Sequence, residues 1–256
     1  LLNITSSATL GKASRTFDFS SPTTSFVLEM VYSVGAEKIA GAIAESVKPR
    51  YRGSQSDIMA LESLIIKGVN EIGGQAVKGT TFRFDCSGEG VSVTVNGALQ
   101  GTASFEGLGS AFVDVFMDAN AVSPTLVDSC LNTWAGKEAK EVAASLLEAS
   151  QSAATSTDET EDAVEEQEAA AAEQKVLESK LKPLQEYATG ITFTPVLDEK
   201  GLYLVGAGVR KKSIIKIYAV AMYSSAEILI AASSGTFELL AHLRPLLHLY
   251  WKWYIV

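Results

Sequence analysis

Apolar and β-branched residues crowd "TTSFVLEMVY" (residues 23–32) and predict a strand. In "GAEKIAGAIAESVKPRY" (35–51) the pattern changes: Ile39, Ile43 and Val47 recur at four-residue steps, which predicts a helix with one apolar stripe. Lys48-Pro49 ends it, because a residue before proline is pushed out of the α region. "SDIMALESLIIKGVNEI" (56–72) predicts a second amphipathic helix with Ser56 or Asp57 as its N-cap. A β-meander follows. "GTTFRFDC" (79–86) alternates, turns at "SGEG", runs back through "VSVTV" (91–95) and turns again at Asn96-Gly97. Asn-Gly suits the type I′ hairpin turn, which demands positive φ at both central positions. Helical spacing returns in "GLGSAFVDVFMDAN" (107–120), followed by "AVSPTLVDSCLNTW" (121–134). Strands and helices are segregated rather than alternating as βαβ units, so the predicted class is α+β.

From residue 135 the character shifts. "DETEDAVEEQEAAAAEQKVLESKLK" (158–182) has almost no large apolar side chains and no sustained heptads, so it predicts a solvated helix or spacer rather than a packed element. Residues 135–185 read as a linker. Strand signals resume in "GITFTPVL" (190–197), with a turn at "DEKG" (198–201). Then "GLYLVGAGV" and "SIIKIYAVAMY" predict two further strands with "RKK" between them.

Composition narrows the function classes. Hydrophobic residues make up 47% of the 256, enough for a core. The net charge of −9 argues against nucleic-acid binding, which needs clustered Lys and Arg. Residues 137–182 hold twelve acidic and five basic side chains, so most of that acidity is local. Cys86 and Cys130 lack CxxC or Cys/His spacing, and with two histidines neither a zinc site nor a disulfide framework is expected; buried free thiols are. No metal or cofactor is expected. The chain starts at Leu1 rather than Met, which reads as a fragment or a processed chain. No signal peptide is recognisable, and no apolar run reaches the ~18 residues of a transmembrane helix.

Gly206 and Gly208 beside Arg210 raise the question of a phosphate loop. A dinucleotide loop needs a third glycine where Lys211 stands and a helix after it, and a P-loop needs a G-K-[ST] ending; both fail. These glycines instead predict a bend in a strand or the close approach of another element.

"LVGAGVRKKSIIKIYAVAMYSS" (204–225) resembles the first β-hairpin of the chalcone isomerase-like superfamily, with its G-x-G-x-R segment and "VYA" strand. "GGQAVKGTTFRFDCSGEGVSVTVNG" and "GLGSAFVDVFMDANAVSP" resemble that family's later hairpin and its closing helix. The likeness covers residues 23–134 and 188–226. It implies an open-faced β-sandwich, an antiparallel sheet covered by helices. The order differs from the family's, since the Arg-bearing hairpin comes last here. Residues 1–10, "LLNITSSATL", align with 228–237, "ILIAASSGTF", and joining 186–227 to 1–134 rebuilds one domain of about 176 residues in family order. The chain therefore reads as a circular permutant or as a window on a tandem array. Residues 1–134 are the C-terminal portion of a domain, 135–185 an acidic Ala/Glu-rich helical linker and 186–237 an N-terminal hairpin portion. Residues 238–256 are a divergent aromatic tail, read as a divergent end, a mispredicted exon or a membrane-touching segment. Contact with a neighbouring repeat is a partner the array reading implies.

The resemblance also implies chemistry. Arg210 matches the family's catalytic arginine, which holds a phenolate and steadies an enolate while a ring closes. Tyr218 stands where plant isomerases carry a catalytic Thr. Their Thr in the closing helix aligns with Val115, and the Tyr and Asn of the helix matching 35–51 align near Gly35 and Ala42. Val and Ala donate no side-chain hydrogen bond. An Arg–Tyr pair instead resembles the fatty-acid-binding members, in which the two hold a carboxylate. The leading expectation is thus a non-catalytic domain binding fatty acids or similar apolar carboxylates at Arg210 and Tyr218. The alternatives are an intramolecular lyase taking a flavonoid-like ligand, with Arg210 catalytic, and a structural repeat with a vestigial site. Arg210 as a surface ion-pair residue and Tyr218 as core filler are the plain readings; Lys211 and Lys212 read as solvated. Relatives in photosynthetic organisms are often plastid-located, the one compartment the resemblance suggests.

Overall fold

The computed structural model describes residues 24–135, 182–197 and 202–225, with backbone alone for 131–135. Its elements run β1 (Thr24–Met30), β2 (Val34–Gly35), α1 (Ala36–Val47), α2 (Gln55–Glu71), β3 (Gln75–Ala76), β4 (Thr81–Ser87), β5 (Gly90–Val95), β6 (Ala98–Ala103), α3 (Leu108–Met117) and α4 (Pro124–Ala135). They continue as β7 (Leu184–Gln185), β8 (Thr192–Phe193), β9 (Val196–Leu197), β10 (Leu202–Lys212) and β11 (Ile215–Ser225). The architecture is α+β. Seven strands form one antiparallel sheet in the order β6-β5-β4-β1-β11-β10-β9.

The register explains why the early and late segments of the chain share that sheet. β1 lies between β4 and β11 and pairs with both: Phe26 faces Phe84 on one side and Met222 on the other. Buried on both flanks, β1 needs the near-continuous apolar run its sequence carries. Period-2 alternation sends Phe26, Leu28, Met30, Phe82, Phe84, Val91 and Val93 to one face, where α2 and α3 cover this half of the sheet and α4 covers β10 and β11. Under α3 the rings of Phe26 and Phe116 stack at 4.6 Å and those of Phe84 and Phe112 meet at 4.6 Å. α1 packs on α2 and α3 with Ile39, Ile43 and Val47 buried, the stripe its four-residue steps predict. On the other face a smaller cluster joins Leu202, Leu204, Ala219, Ala221 and Tyr223 to Phe193 of β8.

Several local expectations are corrected. The N-cap of α2 is Ser54, not Ser56 or Asp57; Asp57 sits at N3 and returns the bond to the Ser54 N–H in a capping box. The 190–197 strand is two short strands, β8 and β9, interrupted at Thr194-Pro195, where proline offers no N–H to a ladder. Arg210, Lys211 and Lys212 belong to β10 itself, and the turn is Ser213-Ile214 with Ser213 at φ 55°. The stretch read as linker overlaps α4 at Ala135 and β7 at Leu184–Gln185. Asn96 and Gly97 take φ 47° and 82°, both positive as the I′ turn requires. The internal alignment of 1–10 with 228–237, the bulk of the linker, the 198–201 turn and the aromatic tail lie outside the described residues.

Candidate functional site

The question posed by Gly206 and Gly208 is answered by α4. A Cβ on Gly206 would lie 2.7 Å from the Cys130 amide nitrogen, and one on Gly208 would lie 2.3 Å from the Leu126 nitrogen. The helix backbone therefore rests directly on the strand, an approach only glycine permits. The pairing is periodic. Four helical residues rise about 6 Å and two strand residues rise about 6.6 Å. Steps of two along β10 thus match steps of four along α4: 206 meets 130, 208 meets 126, and 210 meets 122.

The same helix seals the strand's free edge. β9 reaches only Leu202 and Tyr203, so the outward backbone groups farther along β10 lack a strand partner. Side chains supply one: the Ala207 N–H donates to Ser129 Oγ (3.1 Å), the Val209 N–H to Thr125 Oγ1 (3.0 Å), and Ser123 Oγ donates to the Val209 carbonyl (3.1 Å). Three hydroxyls act as a substitute strand, which removes an edge open to pairing. The spacing of Ser123, Thr125 and Ser129 carries this in the sequence, but only knowledge of the facing strand gives it meaning.

Arg210 stands one step beyond the glycines, where the helix has ended and a side chain fits. It is half-buried, and its Nη1 donates to the Val122 carbonyl at 3.1 Å. That carbonyl is held in place. The Val122 N–H donates to Val115 O, and Arg50 grips the preceding loop through both oxygens of Asp118 (2.8 and 2.9 Å) and the Asn120 carbonyl. Arg50, which the sequence reading did not single out, thus orders the loop that receives Arg210. Tyr218 is the direct cross-strand partner of Arg210, so the two project from the same, helix-covered face. The Ser213-Ile214 turn pairs residues an odd distance apart, Lys212 with Ile215 and Lys211 with Lys216, and the register shift between Arg210 and Lys211 is what then sets Arg210 opposite Tyr218.

Tyr218 is 6% exposed and packs into the main core cluster. Burial pushes its phenol up to about 12, against a smaller opposing pull from the Arg210 charge. The hydroxyl therefore stays a neutral donor at any physiological pH. No hydrogen bond from it to another described residue is present. Lys211 and Lys212 are exposed. Val115 is a buried residue of α3, Ala42 is exposed on α1, and Gly35 is the residue before α1; none brings a polar side chain to Arg210. Cys86 and Cys130 are buried free thiols that burial pushes well up, Cys130 to about 12.

A hollow of about 350 Å3 opens elsewhere, beyond the end of β1, between the β10–β11 turn and the turn joining β7 to β8. Among the described residues there is no cluster of His, Cys, Asp and Glu that could hold a metal, and no helix is long and apolar enough to cross a membrane. Comparison of the chain with family models, curated proteins and solved structures finds no match.

Proposed function

We propose that this is a chalcone isomerase-like domain in permuted order that binds fatty acids or similar apolar carboxylates without catalysis. The observation that carries the reading is the Arg210–Tyr218 pair. A guanidinium anchored by one nitrogen to the Val122 carbonyl keeps its other donors, and an un-ionised phenol stands directly across the strand. That is the donor set a carboxylate takes: one charge-assisted bond and one neutral one. Arg210 also lies at the N-terminal end of α4, whose dipole adds to the positive potential there. The reading stops short of ring closure because Val115 and Ala42 offer no side-chain donor to a second substrate oxygen. The structural-repeat alternative would gain if the two portions failed to associate; here β11 pairs with β1 at seven positions.

Titration of the purified chain with oleate tests the proposal, alongside lipid extraction and mass spectrometry. Arg210→Ala is expected to weaken oleate binding about tenfold or more, the worth of a charged hydrogen bond. Equal affinity in wild type and Arg210→Ala, with no co-purifying lipid, rejects it.

A further inference from the structure

The end of the sheet that carries the hollow has an unusual surface. Of the eight exposed large hydrophobic residues among those described, five gather here: Tyr32, Val77, Tyr187, Ile214 and Ile215. Their proximity follows from the hollow itself, which is lined by their chain neighbours Val31, Lys78 and Ala188 and by Ile214. Two of the five occupy turn tips. Ile214 is 94% exposed at the centre of the β10–β11 turn, and Tyr187 is 99% exposed in the β7–β8 turn. Turn tips ordinarily carry Gly, Asn, Asp or Ser, which local backbone geometry favours. An isoleucine and a tyrosine there serve neither the turn nor the core.

Cations surround them. Lys78 and Lys216 line the hollow, and Lys211 and Lys212 lie on the adjoining strand. Lys211 is placed directly opposite Lys216, a like-charge cross-strand pair that works against hairpin stability. Lys216 Nζ donates to the Ala188 carbonyl, and none of the four lysines forms an ion pair with another described residue. Glu186, the acid in the same turn, is buried and spends its carboxylate on the Ala188 and Thr189 amides and the Thr189 hydroxyl. Among the described residues, a chain of net charge −9 thus gathers positive charge without ion-pair partners around protruding apolar tips.

We infer that this end of the sheet docks on an anionic lipid bilayer. Ile214 and Tyr187 enter the interfacial layer while Lys78, Lys211, Lys212 and Lys216 face the lipid phosphates. Apolar insertion and electrostatic attraction are the two signals that reversible peripheral binding combines. The inference stands independently of what Arg210 holds.

Co-sedimentation of the full chain with vesicles of phosphatidylcholine alone, or with about 30% phosphatidylglycerol, tests it. Binding is expected to the anionic vesicles only and to weaken with added salt. The double variants I214S/Y187S and K211E/K212E are each expected to weaken it about tenfold or more. Both sets of changes lie at exposed positions, and circular dichroism confirms their folding. Arg210→Ala should leave vesicle binding unchanged, which separates this inference from the carboxylate proposal. No association with anionic vesicles, or association that both double variants leave intact, overturns it. So does capture by polyglutamate without vesicle binding, which assigns the surface to an acidic polypeptide.

Discussion

α3 and α4 lie side by side on one sheet and are held by opposite means. Under α3 the contact is bulk: Phe112 and Phe116 of the helix mesh with Phe26 and Phe84 of the strands. Under α4 the strand has given up its side chains. Gly206 and Gly208 let backbone meet backbone, and three hydroxyls make directional bonds to the strand edge. The first joint draws on buried area, which tolerates small shifts. The second draws on register, because one hydroxyl out of step leaves a backbone N–H or carbonyl bare. The candidate site sits on the second. Arg210 occupies the next position in the same two-against-four repeat as the glycines, so its guanidinium is located by the seam rather than by its own contacts alone.

That contrast can be broken from either side. Phe112→Ala removes a ring that packs against Phe26, Phe84 and Phe116 and should lower stability by about 3–5 kcal/mol in urea unfolding. The seam should nonetheless survive in the remaining folded population, as protection of the 207 and 209 amides in hydrogen exchange. Gly208→Ala should cost about 1–3 kcal/mol through one added methyl, because the obstruction is the helix backbone at Leu126. The loss of exchange protection should then concentrate in β10 and α4; a neutral Gly208→Ala would mean that the two elements do not touch as described. Thr125→Val, nearly equal in volume, should cost about 1 kcal/mol by leaving the Val209 amide without an acceptor, and that amide should exchange fastest of all.

The smallest effect is one of pH and sharpens the account of Tyr218. Burial pushes its phenol up to about 12 in the folded chain, against an ordinary value of 10.0. Below pH 10 the hydroxyl is neutral in both states and the stability is complete. As pH rises from 10 through 12 the unfolded chain ionises first, so stability falls. Tyr51 is pushed up to about 12 as well and adds to the decline, so the informative quantity is a difference. Tyr218→Phe should flatten the alkaline fall relative to wild type when unfolding midpoints are measured between pH 9 and 12. An unchanged slope would mean that Tyr218 is open to water.

By itself the sequence determined the elements whose signal is local. The stripe of Ile39, Ile43 and Val47, the alternation in β4 and β5 and the Asn96-Gly97 turn carry their structure in spacing and in backbone preference. It also brought Arg210 and Tyr218 to notice, but their shared face depends on the register shift beside Lys211, which the folded hairpin supplies. What only the tertiary structure decided depends on partners distant in the chain. That β11 would pair with β1, that two glycines would receive α4, and that Ser123, Thr125 and Ser129 would serve as a strand are facts about surfaces meeting. The exposed Ile214 and Tyr187 belong to the same class, since their apolar character is unremarkable until the fold leaves them outside. Local pattern carries no record of which backbone will approach within van der Waals distance, because that distance is set by residues about eighty positions away.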